Sequence, residues 1–148
     1  MVSSWQWENV PVPEVHVLTV LLTELLHRFV PWKMHRDNQS STALGWALVV
    51  GSIVLGGWAV RTVGHESLDR PSGLVSSGPF AYSRNPMYVA WTLLLIGIAV
   101  VRNTTWLLAS LPFVVIATHW IIRWEERELE ERFGKDYRSY RKSVPRYL

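Results

Sequence analysis

Three long stretches of this chain carry no Asp, Glu, Lys or Arg: Asn38 to Val60, Asn85 to Val101 and Asn103 to Ile122. A hydrocarbon core near 30 Å takes about 20 apolar residues per helix, so stretches of this length constrain the fold to helices that can lie in a bilayer. With a further apolar run near the N-terminus, four spans are expected: Val15 to Pro31, Thr42 to Val63, Pro86 to Val101 and Thr104 to Trp124. The third is short, and the Arg102-Asn103-Thr104 turn makes the last two an antiparallel hairpin. Pro112 predicts a kink in the fourth.

The rest of the composition agrees. Only 18% of the 148 residues are charged, against about 25% in soluble domains, and with no Cys there is neither a disulfide framework nor a thiolate metal site. All nine Trp (5, 7, 32, 46, 58, 91, 106, 120 and 124) fall outside or within two turns of an expected helix end, the pattern of an aromatic belt. The net charge of +3 does not imply nucleic acid. Eight of the 15 Lys and Arg follow residue 122, interleaved with six of the 12 acids, so no basic stripe forms. The N-terminus has no basic region before its apolar run, and the first span is expected to remain in the mature protein.

The expectation is thus one all-α, polytopic, multi-pass membrane domain over residues 1–148, with about four transmembrane helices, a loop at 64–85 and an amphipathic interfacial helix at 125–142. Counting Lys and Arg orients it. Arg61, Arg70, Arg84 and the eight tail cations share one side, against Lys33, Arg36 and Arg102, which makes the loop, the tail and both termini cytoplasmic.

Loop and tail carry the polar chemistry. Gly78-Pro79 reads as a turn, and Asn85-Pro86 as a helix start in which Asn accepts a bond from a first-turn amide. That helix end, with Arg84 beside it, suits an anionic ligand group; a cap plus a snorkelling arginine is the plain structural reading. His119, Arg123 and Glu126 recur at i, i+4 and i+7, one helical face at the membrane rim, where charge must be paired or functional. Glu125 and Glu126 suit an ammonium and ribose hydroxyls better than a metal. Leu129, Phe133, Tyr137 and Tyr140 form an apolar stripe expected to lie on the membrane face, with Gly134 a candidate break. In the first span Glu24 is within reach of His27 and Arg28.

Three stretches, taken together, resemble the small integral-membrane methyltransferases that include isoprenylcysteine carboxyl methyltransferases and phospholipid N-methyltransferases. They are Trp58 to Gly64; Leu74 to Tyr88, with its Gly-Pro-Phe and Arg-Asn-Pro-x-Tyr core; and Glu125-Glu126 through Leu129, Phe133-Gly134, Tyr137 and Tyr140 to Val144-Pro145. The resemblance implies S-adenosylmethionine held between the entrance of the third span and the last helix, by Leu74, Val75, Gly78, Tyr82, Arg84, Asn85, Tyr88, Glu125 and Glu126. Glu126, Arg123 and His119 are expected at the reacting end, with a lipophilic acceptor entering from the membrane lipids and no metal. Where prenylcysteine enzymes typically read Arg-His-Pro this chain has Arg84-Asn85-Pro86, which keeps hydrogen bonding and loses a titratable ring. An NADPH-dependent sterol-type reductase and a non-catalytic membrane scaffold are the rival readings.

Overall fold

The computed structural model describes residues 14–34, 39–65 and 73–148. Four helices make up almost all of it: α1 (Glu14–Phe29), α2 (Gln39–His65), α3 (Pro86–Val101) and α4 (Thr105–Ser143), with a 3-10 turn at Gly78–Ala81 ahead of α3. Trp5, Trp7, Arg36, Arg70 and loop residues 66–72, used above for the aromatic belt, the charge count and the loop, lie outside the described residues.

Among the described residues, α2 (over Ser41–Gly64) and α4 are long and apolar enough to cross a membrane, while α3 is a shorter apolar helix. At 1.5 Å per residue, the 16 residues of α1 and of α3 each extend about 24 Å, less than a full hydrocarbon core. The surface of the bundle is inverted relative to a soluble protein. On α1, Leu18, Leu21, Leu22 and Leu25 point outward while His16, Thr19 and Thr23 are buried; Phe113, Val115 and Ile116 of α4 are exposed while Thr118 is buried. On α1 the buried threonine hydroxyls are satisfied at close range: Thr19 and Thr23 donate to the Val15 and Thr19 carbonyls, both at 2.7 Å. Large apolar groups outside with small polar groups inside is the arrangement a lipid solvent favours.

Helices α2 and α3 run antiparallel, whereas α1 runs parallel to α3, His16 meeting Thr92 and Glu24 meeting Arg102. A side chain on Gly97 would meet the Gly45 carbonyl and the Val49 amide at 3.0 Å, so the absence of one lets α2 and α3 backbones touch. The α1 end meets the α4 start: Lys33 and Thr104 form a β-bridge, the Trp106 indole donates to the Val30 carbonyl at 2.9 Å, and the Trp32 and Trp106 rings meet edge-on at 5.1 Å. Here Glu24 pairs with Arg102 at 2.9 Å, and His27 contacts the Thr104 hydroxyl, so the expected Glu24 contact with His27 or Arg28 is replaced. The chain reversal brings a better-placed guanidinium than the next helical turn can.

The last helix runs from the fourth span straight into the tail, as the common face of His119, Arg123 and Glu126 requires, and it keeps helical dihedrals through the exposed Pro112. It continues to Gly134, whose φ of 52° and ψ of −112° make the sharp turn that separates its two parts, a conformation only glycine adopts cheaply. Residues 135–143 then fold back along the preceding turns. The Leu129, Phe133, Tyr137 and Tyr140 stripe faces inward, packed with Leu74 and Val144, rather than lying on a membrane face.

Candidate functional site

Local turns position the loop first. Gly78 has a φ of 57°, and a Cβ there would lie 2.6 Å from the Thr62 hydroxyl, so the loop rests directly on the end of α2. The Phe80 carbonyl accepts the Tyr140 hydroxyl at 2.7 Å, tying the 3-10 turn to the folded-back tail. Next, Ser83, Arg84 and Asn85 are laced to the C-terminal segment: the Arg84 amide donates to the Pro145 carbonyl at 2.9 Å, and Ser83 Oγ and Asn85 Nδ2 donate to the Arg146 carbonyl at 3.3 and 3.2 Å.

Asn85 occupies the cap position of α3, but its side chain makes no capping bond. It serves the Arg146 carbonyl instead, a correction to the capping role expected above. The first-turn amides of α3 consequently keep no side-chain acceptor, and this end of the helix borders a cavity.

Beneath it lies a three-membered ion cluster in which Arg84 and Glu126 are buried and Arg146 is partly exposed. Arg84 Nη2 is 3.0 Å from Glu126 Oε1, and both side chains are under a tenth exposed. Glu126 also accepts Arg146 Nε at 3.0 Å and Nη2 at 2.7 Å, so two guanidiniums share one carboxylate. Arg84 Nη1 reaches the Arg141 carbonyl, while its Nε is buried without a partner. The neighbouring Glu125 accepts the Tyr88 hydroxyl at 2.7 Å. Glu125 follows the apolar part of α4, and burial lifts its carboxyl above the ordinary range, with the Tyr88 hydrogen bond pulling the other way.

These groups line a cavity of about 860 Å³ between the loop, the start of α3 and the α4 hairpin. Leu74, Val75, Arg84, Asn85, Tyr88, Glu125 and Glu126, all expected at a cofactor site, come together there. Gly78 and Tyr82 do not line it: Gly78 is turned to α2, and Tyr82 is two-thirds exposed. Nor do His119 and Arg123. His119 Nδ1 lies 2.9 Å from the Tyr147 hydroxyl, and the Arg123 guanidinium sits over the Trp120 ring. The three share one helical face, but the returning C-terminal segment meets it at His119 and Glu126, and only Glu126 reaches the cavity.

Sequence reasoning missed Arg146, which follows directly on the Val144-Pro145 pair already singled out, and Phe80, Glu128, Glu131 and Arg132 on the cavity wall. Tyr137, read as part of an anchoring stripe, lines the cavity with its hydroxyl buried and unpartnered. No group of three or more His, Cys, Asp or Glu able to hold a metal occurs among the described residues.

Apolar-surfaced helices with small polar groups inside, closing at one end around an acidic and aromatic cavity, are the make-up of a membrane protein with a candidate binding site. The chain belongs to the phospholipid methyltransferase family, whose sequence profile matches residues 40–136, from the start of α2 to just beyond Gly134. It is also similar to a methanethiol S-methyltransferase of Crocosphaera subtropica (strain ATCC 51142 / BH68), at 26% identity over 167 aligned residues that take in 97% of this chain. The chain spans 64% of that relative's length.

Proposed function

We propose that this chain is a multi-pass membrane methyltransferase that binds S-adenosylmethionine in the 860 Å³ cavity and methylates a lipophilic acceptor reached from the bilayer. One observation carries the reading: Arg84 and Tyr88, at the entrance of α3, meet Glu126 and Glu125 of α4 across a single cavity. The volume falls in the range of sites that enclose drug-sized ligands. The Lys and Arg count orients the cavity toward the cytoplasm, where a soluble nucleotide-like cofactor is available.

The residues present fit that cofactor. Arg84 has a buried, unpartnered Nε and two guanidiniums share one carboxylate, so an anionic group such as an amino-acid carboxylate is stabilised beside them. Glu125, Glu128 and Glu131 suit an ammonium and ribose hydroxyls, the unpartnered Tyr137 hydroxyl offers a further polar contact, and Phe80, Phe133 and Tyr140 offer aromatic faces for a base. When bound, the sulfonium supplies an electrophilic methyl group.

What remains for the protein is alignment and exclusion of water. Both Glu126 oxygens are taken by guanidinium donors, so Glu126 holds Arg84 in place, and Glu125 is the carboxylate able to accept a proton from an amine or thiol acceptor. A carboxylate acceptor needs no base. The similar Crocosphaera protein is named for a thiol acceptor, methanethiol, whose S–H proton is of the kind the Glu125 carboxylate can accept.

S-adenosylhomocysteine is expected to raise the thermal stability of the detergent-purified protein in a concentration-dependent way, and NADPH to leave it unchanged. Arg84→Ala and Glu125→Ala should each weaken the S-adenosylhomocysteine response by about tenfold or more, the scale of one lost charge-assisted hydrogen bond. Stabilisation by NADPH alone would replace this reading with the reductase, and no response to either compound would favour a scaffold. Methyl-labelled cofactor with a membrane lipid extract, followed by mass spectrometry, identifies the acceptor.

A further inference from the structure

A second, smaller hollow of about 190 Å³ lies outside the cofactor cavity, lined by Arg123, Glu126, Arg127, Glu130, Arg141 and Arg146. Four guanidiniums there face two carboxylates, and both carboxylates are already engaged. Glu126 is held by Arg146 and by the buried Arg84, and Glu130 lies 3.1 Å from Arg141 and 3.8 Å from Arg138. Among the described residues Arg123 and Arg127 pair with no carboxylate within 4.0 Å, and Arg123 rests on the Trp120 ring at 5.7 Å from its centroid. The hollow thus carries positive charge in excess of what its own acids neutralise.

Its position gives the excess a use. Trp120 and Trp124, one helical turn apart and both more than half exposed, bracket Arg123, and the exposed Phe113, Val115 and Ile116 lie further along the same helix. Exposed indoles at the end of an apolar helix occupy the headgroup level of a bilayer. Guanidiniums gathered at that level, with planar N–H pairs still to satisfy, match the oxygens of a phosphate group.

We propose that the arginine hollow between α4 and the returning C-terminal segment is a binding site for a phosphate-bearing anion, separate from the methyl-transfer cavity. At the headgroup level the donor of that phosphate is an anionic phospholipid, and attraction of basic residues to anionic lipid surfaces supplies the driving force. A soluble phosphate offers the same oxygens and is the alternative source.

The test uses full-length protein in neutral detergent, with thermal stability followed against added phosphatidylglycerol, phosphatidylcholine or inorganic phosphate. Phosphatidylglycerol is expected to stabilise at concentrations at least tenfold below those at which phosphatidylcholine does. Arg127→Glu, on an exposed side chain that lines only this hollow, should raise the half-saturating concentration of phosphatidylglycerol about tenfold, and Arg127→Lys should restore most of it. The response of Arg127→Glu to S-adenosylhomocysteine should match that of the unsubstituted protein, which separates this site from the cofactor reading. Arg127-dependent stabilisation by inorganic phosphate alone supports the same phosphate site with a soluble occupant. Equal responses to the two lipids, or a phosphatidylglycerol response that Arg127→Glu leaves within twofold, would overturn the proposal.

Discussion

The two ends of the helical bundle each contain an ion pair between distant segments, and the two pairs differ in kind. At one end Arg102 meets Glu24 at 2.9 Å with the arginine more than half exposed and the glutamate a third exposed. At the other, Arg84 meets Glu126 at 3.0 Å with both under a tenth exposed, and Arg146 adds a second cation. The first closes the α1, α3 and α4 ends with one charge of each sign, where water screens both. The second sets two guanidiniums against one carboxylate beside a cavity, with Arg84 and Glu126 buried and Arg146 partly exposed. An arrangement that leaves charge unsatisfied in a protein interior is costly for stability alone, and such a cluster at a cavity wall marks a candidate functional site.

Alanine substitution at the two glutamates gives the widest separation between the ends. Glu126→Ala leaves two guanidiniums without their carboxylate, one of them deeply buried, and is expected to cost about 3 to 5 kcal/mol, the range for breaking a buried pair from one side. Glu24→Ala should cost no more than about 1 kcal/mol, as for exposed pairs generally. Denaturant titration of both variants in the same detergent measures the difference. Equal losses would mean that the two pairs are energetically alike and that burial at the cavity end confers nothing special.

A gentler change at the closing end sharpens the contrast. Trp106→Phe keeps an aromatic ring against Trp32 but removes the indole N–H bonded to the Val30 carbonyl, a loss of about 1 kcal/mol for one hydrogen bond. Its affinity for S-adenosylhomocysteine should equal that of the unsubstituted protein, since the residue is absent from the cavity wall. Lost ligand affinity in this variant would show that the ends are coupled and not separable into closure and site.

How much of this could be read from the chain depended on the range of the forces involved. The ranges of α2 and α3 follow from apolar runs and a proline start, and the meeting of Arg84 with Glu126 follows from an even number of helices between loop and tail. Contacts set by chain reversal were not legible. Gly134 was a visible break, but nothing local says that the chain beyond it folds back, and so Arg146 reaching Glu126 twenty residues earlier escaped notice. The same reversal explains His119 and Arg123: period 3.6 places them correctly on the face of Glu126, yet Tyr147 and Arg146 come to that face where a ligand was expected. Asn85 follows the same logic, because a carbonyl 61 residues away outcompetes the first turn of its own helix.

The smallest expected effect lies within the cavity end itself and depends on pH. Burial raises the Glu125 carboxyl above the ordinary value of 4.5, the Tyr88 hydrogen bond opposes that rise, and the charge of Glu128 adds to it. An acid whose folded-state pKa is raised binds its proton more tightly folded than unfolded. Its contribution to stability is therefore fully present below pH 4.5 and is lost as pH climbs through the raised value. Glu125→Gln retains an oxygen to accept the Tyr88 hydroxyl and does not titrate. The stability of Glu125→Gln relative to the unsubstituted protein should consequently increase as pH rises from 4.5, then level off once Glu125 is fully ionised. Thermal unfolding of the two proteins across that range follows the difference directly. A difference that stays flat would mean that the Tyr88 hydrogen bond cancels burial, and one that falls with rising pH that it outweighs burial, making Glu125 a stabilised anion and a poor proton acceptor for an amine or thiol substrate.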